Sequence, residues 1–392
     1  MDGGRQLKHE DKKDHQRHHA VSRRDFLGSL GVSSACLLLG ACGKVKTPVE
    51  PAGSAAKAAS SIRHPMTTPD AQARVATANV SSYEYNALRQ NIESMFNAIG
   101  GISELVSGKT VGMKVNLTAA DSTTPYNRKV PAVESYWTHP EIVRAVGELV
   151  KDAGAGTIYI IEAPYNQKFY KDFGFEGVAS DLGATLINLN NPAPYADFIA
   201  RPVGKDGLIY EEFRQNAILN DIQCLISFPK AKQHVGAGFT SAMKNLVGTL
   251  PLGGYGGADT WRSQIHQHRE YDKNPSSNLR RIVVDLNLAT PIHLAVTDAI
   301  KTALGGENPG QGTYKPATFN KLIASKDVVA AESIACQTIG FDPMAADDTG
   351  VFKGGINYLR LAQEKGLGTY DLSQIELVDA TVSTGIYDRK PL

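Results

Sequence analysis

Apolar residues first settle into a regular period at Tyr85, Leu88, Ile92, Phe96 and Ile99, one face of a helix that Gly100-Gly101 should stop. Residues 110–117 then read as a strand. Thr138-His139-Pro140-Glu141 has the T-x-x-E spacing of a capping box, with proline in the first turn. It opens a helix carrying Ile142, Val143, Val146, Leu149 and Val150, ended by Gly154. Residues 157–161 form a compact, isoleucine-rich run of the kind found in buried parallel strands, and 185–189 should be a further strand after an intervening helix. Later strands are expected at 224–228, 293–297, 321–324 and 375–378, with helices over 236–247, 278–289, 327–339 and 354–364. A hairpin with a Lys205-Asp206-Gly207 turn is expected near 200–210. Strands alternating with helices predict an α/β fold over 76–392: a mostly parallel, doubly wound sheet with helices on both faces, as one large unit or two intimate lobes.

The first part of the chain has a different character. Residues 1–20 are polar, and Ser22-Arg23-Arg24-Asp25-Phe26-Leu27 leads into an apolar run ending in Leu39-Gly40-Ala41-Cys42. That run is diluted by glycine and serine and is shorter than the roughly 20 apolar residues needed to span a bilayer. A charged start, a short apolar stretch and small residues before a cleavage point make a signal peptide. The arginine pair resembles the twin-arginine signature, with Gly28 where lysine is common, and residues 39–42 resemble a lipobox that would leave an acylated Cys42 as the mature N-terminus. The competing reading is a chance Arg-Arg pair before a buried helix. The expectation is export of the folded protein by the twin-arginine translocation machinery to the cell envelope or periplasm, with a lipid anchor in the membrane. Residues 43–75, rich in Ala, Ser, Pro and Lys, read as a flexible tether.

Composition narrows the function. Lys and Arg number 41 against 40 Asp and Glu, so no global basic excess is present to hold nucleic acid, and any anion site must be local. Of four cysteines, Cys36 and Cys42 belong to the signal region, and none forms a C-x-x-C pair, which argues against an iron–sulfur cluster or thiolate zinc site. Cys224 and Cys336 read as buried free thiols, a disulfide being the alternative outside the cytoplasm.

In open α/β sheets ligands bind beyond the carboxyl ends of strands, and three places of that kind carry chemistry. Lys114 and Asn116 share one face of their strand, where a lysine among apolar residues is costly unless paired or facing a cleft; a surface-edge lysine is the plain alternative. Lys230, Lys232 and His234 follow the strand at 224–228, and Lys244 and Asn245 come ten residues later. Such a cluster suits a carboxylate or phosphate, with His234 and Lys244 as the candidate catalytic pair and His234 able to move a proton near neutral pH. A solvated basic loop is the alternative, and the apolar, glycine-containing stretch 235–239 favours a cleft. His266 and His268 would share a face if extended and could bind metal, but no third ligand is evident and the cofactor stays open. The glycine-rich loop at 305–312 lacks the lysine and spacing of a P-loop and reads as a turn-rich connection.

The ordered set Lys114-Val115-Asn116, Thr138-His139-Pro140, Lys230 through His234, Lys244-Asn245-Leu246-Val247-Gly248, Ser325-Lys326-Asp327 and Gly366-Leu367-Gly368 resembles the domain-of-unknown-function 362 family over about residues 110–380. The family pattern implies roles for Lys114, Asn116, His139, Lys230, Lys232, His234, Lys244, Asn245, His266 and Asp327. This chain has Val115 where proline is common and Glu332 where aspartate is common. Some members resembling it carry ferredoxin-type modules, for which no cysteine pattern occurs here, and the fold is similar to the lactate racemase family, whose sites place histidines and lysine around a nickel-containing cofactor. Two readings follow. One is an enzyme acting on a small anion held by Lys114, Lys230, Lys232 and Lys244, oriented by Asn116 and Asn245, with His139 also binding substrate and His234 as acid–base. The other is a non-catalytic ligand-binding lipoprotein or envelope scaffold.

Overall fold

The computed structural model describes residues 72–118, 130–256, 262–310 and 313–382. Arg23, Arg24, the lipobox with Cys42 and the tether as far as residue 71 lie outside the described residues. The end of the expected tether is already a strand, β1 (Ala73–Asn79). Its small side chains give little apolar signal, yet five of its seven residues are buried.

The helix α1 (Tyr85–Ala98), the short α2 (Ser103–Val106) and β2 (Thr110–Lys114) follow. Next come α3 (Pro140–Asp152) and β3 (Thr157–Glu162), then α4 (Phe169–Asp172), α5 (Phe175–Leu182) and β4 (Thr185–Asn188). The expected hairpin is β5 (Phe198–Pro202) with β6 (Glu212–Asn216), a separate two-stranded sheet. Its turn is anchored by Asp285, whose carboxylate accepts the backbone N–H groups of Leu208, Ile209 and Tyr210. The strands β7 (Cys224–Ser227), β8 (Lys230–His234) and β9 (Gly238–Thr240) lead into α6 (Ala242–Asn245), α7 (Leu252–Tyr255), α8 (Ser263–His266) and the long α9 (Pro275–Ala289). The chain then forms β10 (Leu294–Leu304), β11 (Lys315–Ser325), α10 (Val328–Thr338), α11 (Tyr358–Glu364) and β12 (Ile375–Asp379).

The main sheet runs β12-β1-β11-β10-β7-β2-β3-β4. The stretch β10-β7-β2-β3-β4 is parallel throughout, and β11 pairs antiparallel with both β10 and β1. The fold is therefore α/β with a largely parallel sheet. Along β10 the partner changes from β7, paired at Leu294 and Ala295, to β8 from Asp298 onward, and on the other edge the register with β11 shifts between Ala299 and Lys301. Alternating side chains send successive strand residues to opposite faces. Ile160 packs with α1, α3 and α5 on one face, whereas Ile161 packs with α9, α10 and α11 on the other. Cys224 and Cys336 are buried free thiols. Among the described residues no helix is long and apolar enough to cross a membrane.

Three local expectations are corrected. The helix expected over 236–247 is a strand, β9, followed by a single helical turn, α6. Gly238 holds φ +81°, and a Cβ there would stand 2.0 Å from the Val351 carbonyl oxygen, so the backbone must turn where helical periodicity would carry on. Residues 230–234, assigned to no element and with a solvated basic loop as the alternative to a cleft, pair as β8 because β10 continues beyond β7. The cap of α3 is His139, whose Nδ1 accepts the Glu141 N–H at 3.2 Å. Thr138 is used across the sheet instead, accepting from the Asn116 N–H and donating to the Phe228 carbonyl.

Asp327 caps α10 by accepting from Val329 and Ala330 N–H, and its other oxygen accepts from Thr369 N–H at 3.1 Å. Gly368 fits only because it lacks a side chain; a Cβ would lie 2.0 Å from that carboxylate. Asp327→Ala is therefore expected to cost about 1–2 kcal/mol. The check is the urea midpoint at constant m-value; an unchanged midpoint would remove the cap from this account.

Candidate functional site

The chain runs from β2 to β3 and β4 on one side, then returns to place β7 on the other side of β2. That reversal opens a crevice at the carboxyl ends of β2 and β7, the usual ligand position in such sheets. Asn245 sits across it, with Nδ2 donating to the Lys114 carbonyl at 3.1 Å and to Ser227 Oγ at 3.0 Å. A small pocket lies beside it; its lining includes Asn116, Lys244, Asn245, Arg262, His266 and Glu307.

The floor is a buried ion pair. Lys114, fully buried, donates to Glu162 Oε2 at 2.8 Å, to the Val115 carbonyl at 2.6 Å and to Asn245 Oδ1 at 3.2 Å. Burial lowers its ammonium pKa, and Glu162 opposes that change. Gly248 must be a glycine here, since a Cβ would stand 2.2 Å from Glu162 Oε1 and 2.6 Å from Lys114 Nζ. Asn116 joins through Nδ2, 3.2 Å from Asn245 Oδ1.

Lys244 and Asn245 are placed by the turn of α6, which is held from behind by Glu332. Glu332 Oε2 accepts the Met243 N–H at 3.2 Å, and Oε1 accepts from Tyr358 Oη at 2.6 Å. Burial pushes this carboxyl up to about 7. Lys244 Nζ reaches Glu307 Oε2 at 3.5 Å. Arg262 donates to the carbonyls of Leu250 and Ala163, both at 2.7 Å, and lies over the Tyr165 ring.

Two imidazoles meet at Glu307, their ring centroids 5.9 Å apart and nearly parallel. His266 Nδ1 lies 3.0 Å from the Arg262 carbonyl, which can only accept, so Nδ1 carries the proton and Nε2 the lone pair. His234 is the reverse: Nδ1 accepts from Gly236 and Ala237 N–H, both at 3.0 Å, which leaves the proton on Nε2. That Nε2 lies 3.2 Å from Glu307 Oε1, though not aligned as a hydrogen bond. Burial lowers both imidazolium pKa values, His266 to about 3, so both rings are neutral at pH 7. Burial alone would raise Glu307, yet neighbouring positive charge holds it well below the carboxylate range. The lowering comes first from the His234 imidazole beside it and then from the Lys244 and Lys232 side chains.

His234, His266 and Glu307 bring one donor atom each within 4.8 Å of one another. Their chemistry fits an ion only in part. His266 has the backbone-held Nδ1–H that metal ligands usually show, but His234 presents an N–H and Lys244 already brings a positive charge. His268 does not join His266; its ring lies against Tyr210, since the two histidines fall at the end of α8 and beyond it.

Other candidates are placed elsewhere. Lys230 donates to Asp298 Oδ2 at 2.5 Å, Tyr83 Oη at 2.9 Å and the Lys301 carbonyl at 2.8 Å, while His139 stacks on the Tyr83 ring with centroids 3.8 Å apart. This network supports the irregular part of β10, and neither residue lines the pocket. Lys232 is buried, donating to the Tyr136 carbonyl at 3.0 Å. Glu162, Arg262 and Glu307 had no sequence signal of their own. Glu162 ends an apolar strand, and Glu307 sits in a glycine-rich connection; the only hint was that Lys114 and Lys244 each needed a buried counter-charge.

Residues 111–337, more than half of the chain, match the model of the family described as Domain of unknown function (DUF362). The chain belongs to this family. A thylakoid-associated protein of Synechocystis sp. is 28% identical over 264 residues, covering 67% of this chain and 73% of that one. Among solved structures, the lactate racemase apoprotein of Thermoanaerobacterium thermosaccharolyticum is 13% identical with a TM-score of 0.35, covering 64% of this chain and 56% of its own. A Thermotoga maritima protein gives 12% and 0.35, covering 65% and 58%. The chain thus spans less than two thirds of either solved chain, and likeness at this level carries nothing about activity.

Lys232 offers a test of the site's electrostatics. Burial lowers its ammonium from 10.5 to about 7, with Glu307 opposing and Lys244 and Lys230 reinforcing the change. Between those values the unfolded chain binds the extra proton, so this group makes stability rise with pH from about 7 upward, and below 7 its burial cost is fully present. Each tenfold loss of proton affinity on folding is worth about 1.4 kcal/mol. Lys232→Met is therefore expected to be stabilising at pH 6 by a few kcal/mol and to lose that advantage by pH 10. Chemical denaturation at both values checks it; a pH-independent difference would contradict the burial argument.

Proposed function

We propose that this DUF362 domain is an envelope enzyme whose pocket takes a small carboxylate or phosphate compound. Lys244 and Arg262 face the anion, Asn116 and Asn245 orient it, and His266 accepts a proton or hydrogen bond from it. The observation that carries this reading is the tautomer of His266: its Nδ1–H is spent on the Arg262 carbonyl, and the ring that bears the lone pair lines the pocket beside Lys244. Without a bound anion the imidazolium is disfavoured first by burial and then by Lys244. An anion bound against Lys244 would offset the second effect and raise the basicity of His266 when ligand is present. The acid–base role that the sequence assigns to His234 passes to His266 in this reading, with His234 acting as a fixed hydrogen-bond donor behind Glu307.

Delivery belongs to the same proposal. Arg23-Arg24 and Cys42 support export in the folded state followed by lipid anchoring at the membrane. The thylakoid association in the name of the Synechocystis relative agrees with residence at a membrane.

Two expected outcomes follow. With the full chain, a panel of organic acids and phosphate should raise the melting temperature. Lys244→Gln should abolish that rise, while His266→Gln should keep it and lose turnover of whatever compound native mass spectrometry finds retained from the host. No turnover by the wild type would leave a binding protein, wild-type turnover in His266→Gln would remove His266 as the base, and no rise with any anion would leave a scaffold. For delivery, Cys42→Ser should move the processed protein from the membrane to the soluble fraction of fractionated cells, and replacing both Arg23 and Arg24 by Lys should trap the precursor in the cytoplasm. Unchanged fractionation would sink the anchor.

A further inference from the structure

Glu307 brings a carboxylate of the chain itself up against Lys244 and the two imidazoles. It sits on the connection between β10 and β11, whose base is tied by the Gly305 N–H donating to Gln233 Oε1 at 2.7 Å and by Thr313 Oγ1 donating to the Gly305 carbonyl. Gly305 and Gly306 take φ of +73° and +157°, values that side-chain-bearing residues rarely adopt, and they swing the next residue inward. The carboxylate is 13% exposed.

Its two oxygens meet different donors: Lys244 Nζ is 3.5 Å from Oε2, and His234 Nε2 is 3.2 Å from Oε1. Lys244 and His234 each turn a donor to a different oxygen, which suits a planar carboxylate. A phosphate presents three equivalent oxygens and calls for further donors, usually backbone N–H groups at a helix start. Charge-assisted contacts normally close to about 2.7–2.9 Å, and both of these are longer. His234 Nε2 is buried and lacks a hydrogen-bond partner with acceptable geometry, which is costly for a group withdrawn from water. The donors are therefore set for a carboxylate that approaches more closely than Glu307 does.

We propose that Glu307 is a place-holder in a carboxylate subsite: the ligand is a small organic acid, and its carboxylate displaces Glu307 from Lys244 and His234. This rests on the anion-pocket reading and narrows it from carboxylate or phosphate to carboxylate. In the ligand-free protein the place-holder keeps the buried ammonium of Lys244 compensated and the site closed to adventitious anions. Binding exchanges Glu307 for a carboxylate that stands closer to Lys244, so the ammonium charge is offset more fully than by Glu307.

The test is rescue by an external carboxylate. Glu307→Ala in the full chain removes the side chain and leaves room for acetate. Its melting temperature should fall below that of the wild type and be restored by sodium acetate, but not by phosphate or chloride at matched ionic strength. Acetate should bind it at least tenfold more tightly than it binds the wild type, measured by calorimetry. Should Glu307→Ala not fold, Glu307→Gln keeps the shape without the charge, and the same tenfold gain is expected. Acetate affinity equal to or weaker than wild type overturns the place-holder, as does equal restoration by all three anions. Lys244→Gln separates the two readings. If it abolishes acetate binding while Glu307→Ala shows no gain, the place-holder alone is overturned; if acetate binding survives Lys244→Gln, the pocket itself is overturned.

Discussion

The ion pair between Lys114 and Glu162 holds together the ends of β2 and β3 and everything built above them. Two unit charges withdrawn from water are expensive, and such a pair is tolerated only when the remaining donors and acceptors are also satisfied. Here they are: Lys114 uses the Val115 carbonyl and Asn245 besides Glu162, while Glu162 also accepts the N–H groups of Leu117 and Ala163. Removing one partner would leave an uncompensated buried charge, a loss on the order of 3–5 kcal/mol. The pair also dictates its surroundings. Asn245 must bring its amide to Lys114, which fixes α6, and the segment after α6 must pass so closely that residue 248 has no side chain.

From that floor the charges alternate outward. Lys244 leaves the same helical turn as Asn245 and finds Glu307 instead of Glu162, so two lysines and two glutamates face one another across the pocket. Arg262 adds a further positive charge whose hydrogen bonds go to backbone carbonyls. The two imidazoles contribute direction, not charge, because burial keeps both neutral and their Nδ1 atoms are engaged in opposite senses. One ring offers an N–H and the other a lone pair from the same small volume. Asymmetry of this kind between two groups of identical chemistry is what separates a proton donor from an acceptor.

Much of the framework was legible because hydrophobic period survives tertiary context in long elements. The helix starting with Tyr85, the isoleucine-rich β3 and the strand at Cys224 are buried on faces that their own spacing marks. Legibility fails where the local pattern and the neighbours disagree. β1 hides behind small side chains, and the run around Gly238 looks helical until the Val351 carbonyl requires a glycine turn. Of the candidates, Lys114, Asn116, Lys244 and Asn245 do converge: Lys114 ends β2, Asn116 follows it, and α6 brings Lys244 and Asn245 across the crevice. Lys230 and His139 look equivalent in the sequence but are consumed by Asp298 and Tyr83, partners far away along the chain.

By itself the sequence determined the α/β class, the order of most strands and helices, and the residue types available at the strand ends, because these depend on period and short spacing. Tertiary structure alone decided which charges meet. Glu307 reaches His234 and Lys244 because β10 runs past β7 to pair with β8, a matter of strand length and register that no local spacing records. The proton positions on His234 and His266, by contrast, are settled locally, by the backbone N–H groups of Gly236 and Ala237 and by the Arg262 carbonyl one helical turn before His266.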